Sequence, residues 1–205
     1  SFDNSDMIPE LRDKIVGLIG FGHIGQLVAQ KLSGFHVKIL IFDPYISKEI
    51  AAKHNAEIVS LEYLLSNSDF VSLHARLGEG NKHMLGEREL LLMKKTAYLV
   101  NTARADLINE HALMVILKNK KIAGAALDVF WKEPVDKNSC WLKLDNVTLT
   151  SHIAGTTTDA LTKSPSLLVQ DINRLIDDQK PLFITNPEVL VKKEFQKWLQ
   201  KVRES

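Results

Sequence analysis

Three polar residues, far apart in the chain, are of types that together could reduce or oxidise a small acid. Arg104 closes the run Val100-Asn101-Thr102-Ala103-Arg104. Glu133 precedes Pro134 in Asp128-Val129-Phe130-Trp131-Lys132-Glu133-Pro134, and His152 lies in Thr150-Ser151-His152-Ile153-Ala154-Gly155. Hydride transfer to a ketone builds negative charge on oxygen, and a protonated imidazole can quench it. A carboxylate beside the imidazole fixes its orientation. A guanidinium grips a substrate carboxylate through two parallel hydrogen bonds, which a lysine cannot make. Taken singly, each residue has a plainer reading: Arg104 as a surface ion-pair partner, His152 as a half-buried histidine, Glu133 as loop punctuation before proline. It is the set, standing behind a glycine-rich loop, that points to hydride chemistry on a small oxo or hydroxy acid.

The elements that must position these residues are legible as short apolar runs. Residues 14–19 end at Gly20-Phe21-Gly22-His23-Ile24-Gly25 and read as a strand buried on both faces. Ile24, Leu27, Val28 and Leu32 then recur at helical spacing, and Gly34 is expected to end that helix. Further strands are expected over 37–42, 57–59, 70–73, 98–100, 122–127 and 147–149. Helices are expected over 46–54, 61–65, 86–93, 110–117 and 155–176. Strands alternating with helices predict an α/β class with a doubly wound parallel sheet, the Rossmann fold. Ligands of such sheets bind at the carboxyl ends of the strands. Asp43, His74, Arg104, Asp128 and His152 each follow an expected strand end, which groups them in one cleft.

The loop itself reads as a dinucleotide cradle. Gly20 permits the tight turn, Gly22 lets the backbone approach a pyrophosphate, and Gly25 lets the helix pack closely on the sheet. The helix start offers unpaired N–H groups and a positive dipole end to phosphates. Asp43 closes the second strand about 20 residues on, where a carboxylate accepts from the ribose hydroxyls and repels a 2′-phosphate. NAD is therefore expected over NADP. Another adenosine ligand, such as S-adenosylmethionine, is the competing reading of the loop.

Composition narrows the partners. The 205 residues are 45% apolar and 25% charged with a net charge of +1, ordinary for a soluble globular protein. Neither nucleic acid nor an anionic membrane surface is implied. Cys140 is the only cysteine, so no internal disulfide can form and a reducing, cytoplasmic setting is expected. No apolar run approaches the roughly 20 residues that span a bilayer, and Ser1-Phe2-Asp3-Asn4-Ser5-Asp6 lacks the pattern of a signal peptide. His36, His54, His83 and His111 show no ligand spacing, so no metal site is expected.

Four motifs in order resemble the D-isomer specific 2-hydroxyacid dehydrogenase family: Gly17-Leu18-Ile19-Gly20-Phe21-Gly22-His23-Ile24-Gly25, Asn101-Thr102-Ala103-Arg104, Ala126-Leu127-Asp128-Val129-Phe130 with Glu133-Pro134, and Ser151-His152-Ile153-Ala154-Gly155. The likeness is to the family's NAD-binding domain and the short segment after it. It implies that Arg104 binds the substrate carboxylate and oxo group, that His152 is the general acid–base, and that Glu133 is its partner. It implies a cofactor set of Gly20, Phe21, Gly22, His23, Ile24, Gly25, Asp43, His74, Thr102, Ala103, Arg104, Asp128, His152 and Gly155, with Asp128 holding the nicotinamide carboxamide. It also implies a homodimer. The chain departs from the family at Ala105-Asp106, where a glycine often follows the arginine. Asp106 there adds a negative charge close to Arg104. Further departures are Arg76-Leu77-Gly78 after His74, Asn81 in place of a threonine, and Ser151 in place of a proline. None removes a reacting group.

The resemblance also shapes the expected organisation: residues 1–183 as the NAD-binding domain, and 184–205 as a tail helix belonging to a largely missing substrate domain. About a dozen residues precede the first strand, too few for a domain, so the chain is expected to be a cofactor-binding fragment with poor turnover alone. Val191, Phe195, Trp198 and Val202 are spaced as one face of the tail helix. Two other readings compete. One is a non-catalytic NAD-binding regulator similar to the C-terminal-binding-protein corepressors; the other is a different Rossmann enzyme such as a methyltransferase.

Overall fold

Parallel strands bury both faces, so each must send alternate side chains into two separate cores. The computed structural model describes residues 10–204; the expectation for Ser1 to Asp6 lies outside them. Seven strands, β1 (Ile15–Ile19), β2 (Lys38–Phe42), β3 (Ala56–Ile58), β4 (Phe70–Leu73), β5 (Tyr98–Asn101), β6 (Gly124–Leu127) and β7 (Val147–Leu149), form one sheet in the order β3-β2-β1-β4-β5-β6-β7. Every neighbouring pair is parallel. Val16, Leu18, Ile39 and Ile41 join Phe21, Ala29 and Ala51 on one side. Ile19, Leu40, Leu73, Leu99 and Leu127 join Leu64 and Leu113 on the other. Each buried valine, leucine, isoleucine or phenylalanine among them stabilises the fold by about 1.5–3 kcal/mol. The chain starts mid-sheet, winds to one edge, and returns to lay β4 beside β1. That reversal opens a crevice at the strands' carboxyl ends. The expected doubly wound sheet is what forms.

The helices of this part are α1 (His23–Leu32), α2 (Lys48–Lys53), α3 (Leu61–Asn67), α4 (Glu87–Leu90) and α5 (Glu110–Lys118). Ser47, Ser60 and Asn109 set where α2, α3 and α5 begin, each accepting from the N–H three residues on. Two expectations for α1 need correction. Gly34 does not end it. The chain continues through a 3-10 turn at Ser33–Phe35, and His36 is the left-handed residue, at φ 55°. Nor do Ile24 and Leu27 face inward, being 58% and 39% exposed. Gly25 and Ala29 are its fully buried residues, and Gly25 lies against the Gly20 carbonyl.

Contacts divide the chain into Ser1–Ala154 and Gly155–Ser205. The second unit, taken by itself, holds α6 (Thr158–Ile176) and α7 (Lys193–Arg203), with a 3-10 turn at Pro187–Val191. Thr157 caps α6 by accepting from the N–H of Ala160 at 3.1 Å. The buried Asp171 carboxylate accepts from the N–H groups of Leu182 and Phe183 at 2.7 and 2.8 Å, folding the following segment back on α6. Arg203 donates to the Leu175 carbonyl and pairs with Asp178 at 2.8 Å. The expected stripe on the terminal helix is only partly there. Val191 lies in the 3-10 turn, Trp198 is exposed, and the residue α7 buries is Leu199.

Candidate active site

The glycine loop divides its labour. Gly20 has φ +89°, and a Cβ there would stand 2.5 Å from the Ala75 nitrogen. A Cβ on Gly25 would strike the Gly20 carbonyl oxygen, so backbone fills that side. Around Gly22 a Cβ would meet nothing within 4 Å. Two glycines are thus required by the protein's own packing, and the third leaves open room above the turn. Gly22 is also the N-cap of α1, so the amides of His23, Ile24 and Gly25 open the helix.

Asp43, at the end of β2, ties the loop to its neighbour. One oxygen accepts from the Phe21 N–H at 2.7 Å and the other from the Tyr45 N–H at 2.8 Å. Each ionised carboxylate oxygen keeps accepting capacity for another donor. Asp43 and Tyr45, with Gly22, His74, Arg76 and Leu77, border a cleft of about 900 Å³. His74 shares a hydrogen bond with the Ser72 hydroxyl at 3.0 Å. Burial holds its imidazole below the usual pKa, which favours the neutral ring. Open space over Gly22, free amides at a helix start and a carboxylate 22 residues from Phe21 suit a dinucleotide.

The second constellation follows β5, β6 and β7. At the end of β5, Asn101 is wholly buried. Its side-chain amide donates to the Arg104 carbonyl at 2.9 Å and accepts from the Ala103 N–H at 3.0 Å. Thr102 and Arg104 are exposed on the loop so formed, with Ala103 half-buried. The Arg104 guanidinium donates to the Ala103 carbonyl at 2.6 Å. Beyond β6, Glu133 accepts from the Phe130 N–H at 2.9 Å through one oxygen. Its other oxygen lies 2.9 Å from His152 Nδ1. The His152 ring and the Phe130 amide together hold the Glu133 carboxyl below its usual pKa. An ionised carboxylate only accepts, so Nδ1 carries the proton and Nε2 is left to exchange one with a ligand.

Asp128 holds the loop that carries His152. It is 3% exposed. One oxygen accepts from the Thr150 hydroxyl at 2.5 Å and the Ile153 N–H at 2.9 Å; the other accepts from the Ala154 N–H at 2.9 Å. Burial pushes this carboxyl up, but the Thr150 hydroxyl and the two amides outweigh it and leave the pKa below the ordinary value. His152 itself stands at φ 57°, a left-handed conformation costing a non-glycine residue about 1–2 kcal/mol. The bonds on either side of it hold it there. Arg104, Glu133 and His152 meet in one pocket of about 260 Å³, with Asp106, Trp131 and Leu77 in its wall. Gly155 opens the second unit and is described with that unit alone.

The family described as "D-isomer specific 2-hydroxyacid dehydrogenase, NAD binding domain" matches residues 1–154. The chain belongs to that family. It is 42% identical over 183 residues to the glyoxylate reductase of Thermofilum pendens, an overlap of 89% of this chain and 54% of that one. It is similar in structure to the NAD-complexed D-isomer specific 2-hydroxyacid dehydrogenase of Lactobacillus delbrueckii ssp. bulgaricus, with a TM-score of 0.80 and 29% identity over 91% of this chain and 60% of that one. It is similar also to an acyclic imino acid reductase in complex with NADPH and D-Arg, with a TM-score of 0.77 and 33% identity over 89% and 57% of the two chains. The chain spans about half the length of the curated relatives it matches.

Within this dehydrogenase family frame, the departures have visible settings. Asp106 lines the same pocket as Arg104. Its carboxylate faces Lys82 at 3.9 Å and His83 at 3.6 Å, so part of its charge is met by the Lys82 ammonium. Reading the residues alone left three contributors without a role. Thr150 bonds Asp128, the Phe130 amide braces Glu133, and Trp131 walls the pocket with its indole N–H fixed on the Ile108 carbonyl at 3.0 Å. Nearness to His152 and Glu133 was the available signal for the first two. A bulky aromatic between Asp128 and Glu133 was the signal for the third.

Proposed function

We propose that this chain is the cofactor-binding part of an NAD-dependent oxidoreductase that interconverts a small 2-oxo acid and a D-2-hydroxy acid. The single observation that carries the reading is the convergence of Arg104, Glu133 and His152 on one pocket. Gly20, Gly22, Gly25, the amides of Phe21, His23 and Ile24, and Asp43 would hold the dinucleotide, with His74, Thr102, Ala103, Asp128 and Gly155 as further members of its site. Bound NADH supplies the hydride. Arg104 receives the substrate carboxylate in a two-point grip, leaving the oxo group turned toward the imidazole. His152 gives the proton on Nε2 to the substrate oxygen as charge develops there, and takes it back in the reverse direction. Glu133 keeps the opposite nitrogen protonated and the ring aimed. Asp43 disfavours a 2′-phosphate by like charge, which supports NAD over NADP.

The names of the relatives reported above support an oxidoreductase rather than the regulator. The reading includes a homodimer, for which α6 offers an apolar stripe: Leu161, Leu168 and Ile172 are exposed along one face. It includes a cytoplasmic setting, consistent with a single cysteine, and an organisation of 1–183 as NAD-binding domain with 184–205 as the tail. Among the described residues no helix is long and apolar enough to cross a membrane. The test has two arms. Calorimetric titration with NADH against S-adenosylmethionine should show binding of NADH alone. The full-length protein, given NADH and a panel of 2-oxo acids, should oxidise NADH with at least one of them. Binding of S-adenosylmethionine in place of NADH, or no turnover with any acid, would refute the reading.

A further inference from the structure

We propose that Asn101 is a positioning residue for Arg104, acting through the peptide that joins Ala103 to it. Asn101 is the last residue of β5, between β4 and β6, and is 0% exposed. A buried primary amide is kept only where its donor and acceptor are both used. Here both are spent on the loop that follows it. Oδ1 accepts from the Ala103 N–H, and Nδ2 donates to the Arg104 carbonyl. The Arg104 guanidinium in turn donates to the Ala103 carbonyl at 2.6 Å. The amide group of one buried side chain thus clamps the backbone on both sides of the residue whose carbonyl anchors the guanidinium. Remove it, and the anchor and the arginine's own backbone are both released.

A second bond widens the consequence. The Asn101 carbonyl accepts from the Asp128 N–H at 3.0 Å. Asp128 carries the flanks of His152. The substrate-binding guanidinium and the imidazole therefore rest on two strand ends bonded to each other, and Asn101 supplies the arginine half of that base. The inference rests on the pocket assigned above, and its test separates the two.

The variants are Asn101→Asp, near in shape but unable to donate to the Arg104 carbonyl, and Asn101→Ser, too short to reach both groups. If the aspartate variant does not fold, the serine variant answers in its place. Amide exchange of Ala103 should speed up about tenfold or more in the serine variant, the scale of one lost internal hydrogen bond, whereas the aspartate keeps an oxygen that accepts from the Ala103 N–H. NADH affinity should stay within about twofold, since the Gly20–Gly25 loop and Asp43 are untouched. With NADH saturating, affinity for oxamate, a carboxylate beside a carbonyl, should fall about tenfold. The same substitution in an Arg104→Gln background should add nothing further. Unchanged Ala103 exchange in the serine variant overturns the proposal whatever oxamate does. So does a parallel loss of NADH affinity, which marks a general support, or additivity with Arg104→Gln. If the unaltered protein binds no oxamate, the pocket assignment fails, while the exchange rates still decide the role of Asn101.

Discussion

Replacing Gly22 and Gly25 by alanine, one at a time, should separate a residue reserved for the ligand from one reserved for the fold. At Gly22 the backbone is extended, φ −68° and ψ −159°, which alanine adopts without strain. Its Cβ would meet nothing within 4 Å. Alanine restricts the unfolded chain, a gain of about 0.4–1 kcal/mol, and is a poorer N-cap than glycine by a similar amount. Stability should therefore stay within about 1 kcal/mol, or about 2–4 °C in Tm. The same methyl projects into the open room above the loop. If a pyrophosphate belongs there, overpacking of about 1–3 kcal/mol falls on binding, a loss of about 5–150-fold in NADH affinity. Gly25→Ala reverses the pattern. Inside a helix alanine gains about 1 kcal/mol, but its Cβ strikes the Gly20 carbonyl. With a clash of about 1–3 kcal/mol, the net loss reaches about 2 kcal/mol and Tm drops by up to about 8 °C. Thermal melts and calorimetric NADH titration read both numbers. A Gly22→Ala protein that melts normally and binds NADH as the parent does would refute the assignment of that space.

Other expectations are equally direct. Glu133→Gln in the full-length enzyme should lower kcat/KM by about 10–100-fold with NADH affinity unchanged, read by steady-state kinetics beside fluorescence titration. Asp43→Ser should narrow the preference for NADH over NADPH by about tenfold or more as the like charge goes. It should also lower Tm by about 2–4 °C, because the Phe21 and Tyr45 amides lose their acceptor. The Asp128 carboxyl has a folded pKa below its ordinary value, so the unfolded chain takes up its proton first as pH falls. Its contribution is complete above the unfolded value and fades as pH drops through the folded one. Asp128→Asn, costing about 1–3 kcal/mol near neutral pH, should flatten that acid decline in urea-melt stability measured against pH.

The alternation of apolar runs with helical spacing was enough to read the sheet, because a strand buried on both faces has nowhere to place a polar residue. Its ends then placed Asp43, His74, Arg104, Asp128 and His152 after strands by a topological rule, but not in one cleft: Asp43 and His74 border one, Arg104 and His152 another, and Asp128 is buried. The orientation of α1 escaped the same reasoning. Ile24 and Leu27 recur at helical spacing, but it is Gly25, packed on the Gly20 carbonyl, and Ala29 that are turned inward. The exit through His36 was hidden for a related reason, since Gly34 is the better left-handed residue by type alone. The tasks of Asn101 and Thr150 were invisible because a short polar side chain finds its partner through loop geometry, which spacing does not encode.

The stacked pair Trp131 and Trp141, with ring centroids 5.4 Å apart and 12° between planes, gives the molecule an optical gauge of its own. Trp131 borders the pocket of Arg104 and His152, so light emitted by this pair should dim or change colour when an anion settles there. The remaining tryptophan, Trp198, sits on α7, and exchanging it for phenylalanine would silence the background. Occupancy could then be followed in real time with no dye, no coupled reaction and no turnover.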